Sequence, residues 1–76
     1  MGLMRIIDET GDTVVTWAPD DAATVAEAAR IFRSLELERR MAFARPEGAP
    51  ASEAERIHAF DPSAEEIIWV RPIQGG

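Results

Sequence analysis

At 76 residues the chain is one small domain, which buries only about 60% of its unfolded surface; many of its apolar residues are alanine, so it can fill one core but not also line a deep substrate pocket. A self-sufficient enzyme is therefore not expected. Eight basic against fourteen acidic residues give a net charge of −6, which argues against nucleic acid, whose binding rests on neutralising phosphates, and favours basic protein partners. There is no Cys, hence no disulfide, thiolate metal site or Cys nucleophile. No apolar run approaches the ~20 residues that span a bilayer, and the start lacks a basic-then-apolar secretion pattern. A soluble, cytoplasmic domain without membrane contact is the expectation. All eight basic residues are Arg, as codon bias in a GC-rich genome would produce, and a chain without Lys cannot be acylated on a side-chain amine.

Residues 3–8, β-branched around Ile6 and Ile7, read as a strand. Glu9-Thr10-Gly11-Asp12 reads as a tight turn, with Gly11 free to adopt positive φ. Thr13-Val14-Val15-Thr16-Trp17 reads as the second strand of an antiparallel hairpin, stopped by Pro19. Asp20 or Asp21 can cap a following helix and suits the positive end of its dipole. From Ala22 to about Ser34, Val25, Ala28, Ala29, Phe32 and Leu35 form an apolar stripe of helical period. No Gly marks the end of that helix, and residues 37–40 either extend or leave it.

Met41-Ala42-Phe43-Ala44-Arg45 is a short third strand ending at Pro46. Residues 46–55, with two Pro and no periodicity, read as a mobile surface loop. A fourth strand is expected over residues 56–60, then a turn or single helical turn over 61–66. Ile67-Ile68-Trp69-Val70 is the strongest strand pattern in the chain, apolar on both faces as a central strand would be, and Pro72 ends it. The order β-β-α-β-β-β predicts an α+β fold with a mixed sheet of four to five strands packed on one helix. That is the β-grasp arrangement, although other small α+β folds share the order. Residues 1–70 would form the domain and residues 71–76 an extended tail.

The chain closes with Arg71-Pro72-Ile73-Gln74-Gly75-Gly76. From Glu65 to Gly76 the sequence resembles the closing segment of the molybdopterin-synthase sulfur carriers: an acidic turn, an apolar strand, a Pro-Pro-aliphatic-small run and Gly-Gly. It departs from that pattern at Arg71, where the family has a first Pro, and at Gln74, where it has a small residue. Thr10-Gly11-Asp12-Thr13-Val14 and Pro19-Asp20-Asp21 are similar to the first hairpin and helix start of ubiquitin. Residues 39–60 resemble neither. The resemblance, over about half the chain, is thus to the ubiquitin-like β-grasp superfamily.

That resemblance implies a substrate and carrier, not an enzyme. An E1-like adenylating enzyme would activate the carboxylate of Gly76. The product would pass sulfur to an accepting enzyme, as a thiocarboxylate, or become joined to target proteins as a modifier. Six residues beyond Val70 reach about 20 Å, Gly75 and Gly76 let the backbone enter a narrow site, and Pro72 stiffens the exit. Ile68, Val70, Arg71, Pro72 and Ile73 are the expected partner-binding residues, with Arg71 against an acidic groove. Whichever of Ile67/Trp69 and Ile68/Val70 points inward, the other pair leaves an apolar stripe on the open face of the sheet. Trp69 itself suits either the core or an anchor for a partner.

Other residues point to ordinary roles. His58 is the single His and, without Cys, makes no convincing metal site, so no metal or cofactor is expected. Asp20/Asp21 and Glu65/Glu66 fit capping and turn formation better than acid–base chemistry. Ser34, Ser52 and Ser63 lack a nucleophile context, and no phosphate-cradling Gly loop exists. The alternative function is a non-conjugated binding module, or an oligomer subunit, with an inert tail.

Overall fold

The computed structural model describes residues 1–8 and 11–71. Its first two elements are β1, Gly2–Asp8, and β2, Gly11–Trp17. They pair antiparallel in unbroken register from Gly2 opposite Trp17 to Asp8 opposite Gly11. Of the expected turn, Gly11 and Asp12 already belong to β2, and Gly11 holds a φ of +125° that side chains resist. Glu9 and Thr10 lie outside the described residues.

Helix α1, Ala22–Leu37, starts where the acidic pair predicts. Asp21 is extended, and its carboxylate accepts the Ala23 N–H at 3.1 Å, satisfying one donor that the first turn leaves open. Thr24 locks the approach: its hydroxyl accepts the Ala18 N–H and donates to the Asp21 carbonyl, both at 2.9 Å. The helix runs past Ser34 to Leu37 and stops without Gly. Arg39 takes the left-handed conformation (φ +63°) instead. Its N–H reaches the Glu36 carbonyl and the Arg40 N–H reaches that of Leu35, the paired bonds of a Schellman cap. An Arg there carries the steric penalty of about 1–2 kcal/mol that Gly avoids. Sequence alone hid this stop because its usual residue is missing.

Three more strands follow: β3, Met41–Pro46; β4, Glu55–Ile57; and β5, Ala64–Val70. The sheet order is β2-β1-β5-β3-β4. Strand β5 runs parallel to β1 and antiparallel to β3, so it sits at the centre as its two-sided apolar pattern requires. The fold is α+β, one helix on a five-stranded mixed sheet in the expected β-β-α-β-β-β order, consistent with a β-grasp-like class.

Two expected boundaries shift. Strand β4 is three residues long, not five, so His58, Ala59 and Phe60 leave the ladder. The loop over residues 46–55 lies on the surface as expected and contains ordered turns. A 3₁₀ turn at Ala51–Glu53 fills it, Gly48 turns it at φ +79°, and Ala49 N–H bonds back to the Pro46 carbonyl. Strand β5 begins at Ala64, so Glu65 and Glu66 are strand residues and the turn is confined to residues 61–63. Asp61 holds that turn by accepting the Ser63 N–H at 2.9 Å.

The core lies between α1 and the sheet: Met4, Trp17, Ala28, Phe32, Leu35, Ala42, Ala44, Ala64, Ile67 and Trp69 are buried. Val25 packs partly buried beside them, so the expected helical stripe does face the sheet. Four aromatic rings form a chain across the core. Trp17 meets Phe60 edge-on at 4.9 Å, Phe60 meets Phe32 at 6.0 Å, and Phe32 meets Trp69 at 4.7 Å. Trp17 is further fixed by donating its indole N–H to the Pro62 carbonyl at 3.0 Å. Its cross-strand partner is Gly2, where any Cβ would overlap the indole ring.

Two substitutions test these points. Gly2→Ala is expected to destabilise the fold by about 1–3 kcal/mol, because the caged Trp17 ring cannot step aside. Arg39→Gly should stabilise it by about 0.5–1 kcal/mol through relief of the left-handed residue. Urea midpoints at unchanged slope measure both; equal midpoints in either case contradict the packing or capping argument.

Candidate functional site

Alternation along the three inner strands decides what the helix-free face displays. Ile67 and Trp69 point into the core, so the other pair, Ile68 and Val70, lies on the open face and is half-buried. Trp69 is therefore a core residue and not an anchor for a partner. The open-face stripe expected of β5 is present.

It is also wider than the β5 sequence suggests. Across β3, Phe43 stands opposite Ile68 and Met41 opposite Val70. On β1, Arg5 stands opposite Ile68, and Ile7 lies two residues further on the same face, 42% exposed. Phe43, Met41 and Ile7 thus join Ile68 and Val70 in one apolar patch. Sequence reasoning missed the β3 contribution. Its signal was the strict alternation of Met41, Phe43 and Arg45 with Ala42 and Ala44. Which set points inward is settled by the neighbouring strand: Ala42 faces Trp69 and Ala44 faces Ile67, small residues yielding volume to large ones.

The end of this face where β5 begins is charged. Glu66 is shared between Arg5 (Nε to Oε2, 3.8 Å) and Arg45 (Nε to Oε1, 3.5 Å). Arg5 also reaches Asp12 at 3.5 Å on β2, and Arg45 reaches Glu65 at 2.9 Å. The chain of charges crosses four strands. Single exposed pairs contribute about 0–1 kcal/mol, and sharing and half-burial move a network toward the upper end. Arg45 also donates to the Ala49 carbonyl at 2.9 Å, and Glu65 accepts the Gly48 N–H at 3.2 Å, so the same ions anchor the loop after β3. The Gly48 N–H, then the Arg45 guanidinium, hold the Glu65 carboxyl below its ordinary range.

A shallow depression of about 250 Å³ lies among these residues and Met1, Gly2, Leu3 and Thr16. It sits at the opposite end of β5 from the point where the chain leaves the sheet. Of the acidic pairs, Asp21 caps α1 as expected, whereas Glu65 and Glu66 face arginines from within β5 and do not form the expected turn. His58 is exposed, its Nδ1 3.5 Å from Glu36 Oε1 on α1.

At the other end, β5 finishes at Val70 and Arg71 is exposed beyond it. The apolar patch therefore borders the exit of the chain. Arg56 on β4, opposite Phe43, and Arg71, next to Val70, place arginines beside the patch. The expected activation residues Gly75 and Gly76, and the partner-binding residues Pro72 and Ile73, lie outside the described residues. No protein-family model matches this chain, and neither does any curated protein or any solved structure.

The ion network gives a pH signature. Glu65 has a lowered folded pKa, so its contribution is present above the ordinary Glu value of about 4.3 and is lost as pH falls through the lowered value. Glu65→Gln should be less stable than the parent at neutral pH, with the gap narrowing as acid protonates Glu65. Urea midpoints from neutral to acid pH check this; a gap that stays constant contradicts the assigned interaction.

Proposed function

We propose that this chain is a ubiquitin-like carrier whose Gly76 carboxylate is activated by a separate E1-like adenylating enzyme. The observation that carries the reading is the placement of β5. The central, buried strand is the one that leads out toward Arg71-Pro72-Ile73-Gln74-Gly75-Gly76, and it leaves beside an apolar patch. A rigid strand gives the tail a fixed origin, and the patch gives a partner something to hold while the tail enters its active site.

The chemistry proceeds in two balanced steps. A carboxylate oxygen of Gly76, free or set free by cutting a longer precursor, attacks the α-phosphate of ATP and displaces pyrophosphate. The resulting acyl-AMP has a good leaving group, which the carboxylate anion lacks. Sulfur from a sulfide or persulfide donor then attacks the acyl carbon, the C–O bond to phosphate breaks, and AMP departs. With sulfide the terminal thiocarboxylate forms directly; with a persulfide the product is an acyl disulfide to the donor. A thiol attacking the donor's sulfur then breaks that S–S bond, releasing the thiocarboxylate and leaving a disulfide on the donor. Attack by an enzyme thiol instead gives a thioester that an amine of a target protein can open. The Pro72-Ile73 sequence favours the sulfur branch, and the missing Lys fits a modifier that builds no Lys-linked chains.

The activating partner is expected to present apolar side chains rimmed by carboxylates. Arg56 and Arg71 lie beside the patch at the exit of β5, whereas Arg5 and Arg45 are already matched by Asp12, Glu65 and Glu66, and the whole chain carries −6. Local charge at the contact outweighs net charge in choosing a partner surface, because screening confines the interaction to about 8 Å at physiological ionic strength.

Incubation with a cognate E1-like adenylating enzyme, ATP and a sulfide source, followed by intact-mass analysis, tests the proposal. Replacement of one terminal oxygen by sulfur is expected for the sulfur carrier, and tail-dependent adducts on other proteins for the modifier. Neither product should form when Gly76 is deleted. A second reading, a binding module using the Phe43–Ile68 patch with an inert tail, is favoured by the width of that patch. It requires that deleting Gly75 and Gly76 leave partner binding and cellular phenotype unchanged, and that no activated product form.

A further inference from the structure

The two edges of the sheet are protected very differently. At one edge β4 is three residues long and two of the three, Glu55 and Arg56, are charged. Short length and charge are the usual devices that keep an edge from pairing with another chain. At the other edge β2 has seven residues, Gly11–Trp17, in unbroken register with β1, with neither a bulge nor a Pro. Thr13, Val14, Val15 and Thr16 are all β-branched, Asp12 is its one charge, and Arg5 of β1 already pairs with Asp12 at 3.5 Å. Among the described residues no strand lies beyond it. Asp12, Thr13, Val14 and Thr16 are exposed, Val14 at 48%, and only Trp17 is buried, so α1 covers just one end.

We propose that this edge is a self-association surface, on which β2 of a second copy adds antiparallel across a two-fold axis at Val14. Such pairing joins two five-stranded sheets into one of ten strands. It closes on itself, because each copy has spent the one unprotected sheet edge among the described residues.

The sequence of β2 suits this occupant. Val14 is the midpoint of the strand, so a two-fold there is the register that pairs all seven residues. It sets Val14 against Val14, Thr13 against Val15, Asp12 against Thr16, and small Gly11 against large Trp17. β-branched residues meet across the new ladder, which favours pairing. The two Asp12 side chains fall about 14 Å apart, four residues along the ladder, beyond the screening length of about 8 Å at physiological ionic strength. A net charge of −6 per copy therefore opposes association only weakly at the contact itself. One seven-residue edge falls short of the ~1,200 Å² typical of stable complexes, so the dimer should be weak and depend on concentration and salt. The inference is independent of the tail and stands whether or not Gly76 is activated.

Sedimentation velocity and amide hydrogen exchange on the full chain, from micromolar to near-millimolar concentration, test it together. The expected result is a monomer–dimer shift with rising concentration. Alternate amides of β2, those facing away from β1, should slow by at least tenfold in parallel, while β4 amides do not change. Val14→Lys places two ammonium groups at the two-fold axis; it should abolish the shift and the added protection. Val14 is half-exposed, so a circular-dichroism melt serves to verify the fold of that variant, and Val14→Thr, which keeps the β-branch, should retain the dimer. The proposal is overturned by a chain that stays monomeric throughout, by a dimer whose β2 amides gain no protection, or by Val14→Lys dimerising like the parent. It is equally overturned if β2 amides respond only to an added extended peptide, which would assign the edge to a different occupant.

Discussion

The structure depends on one line of contacts, the aromatic chain Trp17–Phe60–Phe32–Trp69. It takes four of the five aromatic side chains and joins β2, the segment before β5, the helix and the central strand. In a domain this small such rings supply much of the buried apolar area. Their bulk sets conditions elsewhere. A Cβ at Gly2 would overlap the Trp17 ring, and small, buried Ala42 stands opposite Trp69. The arrangement carries one cost: Trp69 is fully buried, and among the described residues its indole N–H meets no acceptor, a penalty of about 1–3 kcal/mol. The volume that Trp69 fills evidently outweighs it.

Those same conditions produce the face that faces outward. Because Ala42 and Ala44 yield the core to Trp69 and Ile67, the larger residues of β3 turn away from it. Phe43, the fifth aromatic, lands opposite Ile68 on the open face. An apolar patch beside the exit of β5 is thus a geometric consequence of a heavily aromatic core under one helix. Charges divide along the same line. Arg5 and Arg45 tie the start of β5 to its neighbours through Glu66, while Arg56 and Arg71 stand by the patch near its end. This polarity along one strand is what makes the proposed handing of a tail to a partner physically reasonable.

Much of this was legible in the sequence where local chemistry and periodicity agreed. The hairpin was marked by β-branched runs and Gly11, the helix start by Asp21, and the central place of β5 by its unbroken apolar run. Legibility failed where a choice depended on distant residues. The helix stop was hidden because Arg39, not Gly, adopts the left-handed conformation. Glu65 and Glu66 read as turn residues because their arginine partners lie on other strands. The inward face of β3 was undetermined until Trp69 was placed across from it. The loop after β3 looked unstructured by composition, yet Arg45 and Glu65, twenty residues apart, fasten it. For the activation residues the situation is reversed: Gly75 and Gly76 stand out in the sequence and lie outside the described residues.

The central functional claim is that the carboxylate at the end of this chain accepts the adenylyl group of ATP. Isotope exchange between pyrophosphate and ATP, catalysed by the adenylating enzyme, reads that step without any sulfur donor or acceptor protein. The account predicts exchange that depends on this chain, saturates with it, and disappears when Gly76 is removed. Exchange that proceeds equally with the shortened chain, or fails with the full one, would contradict it.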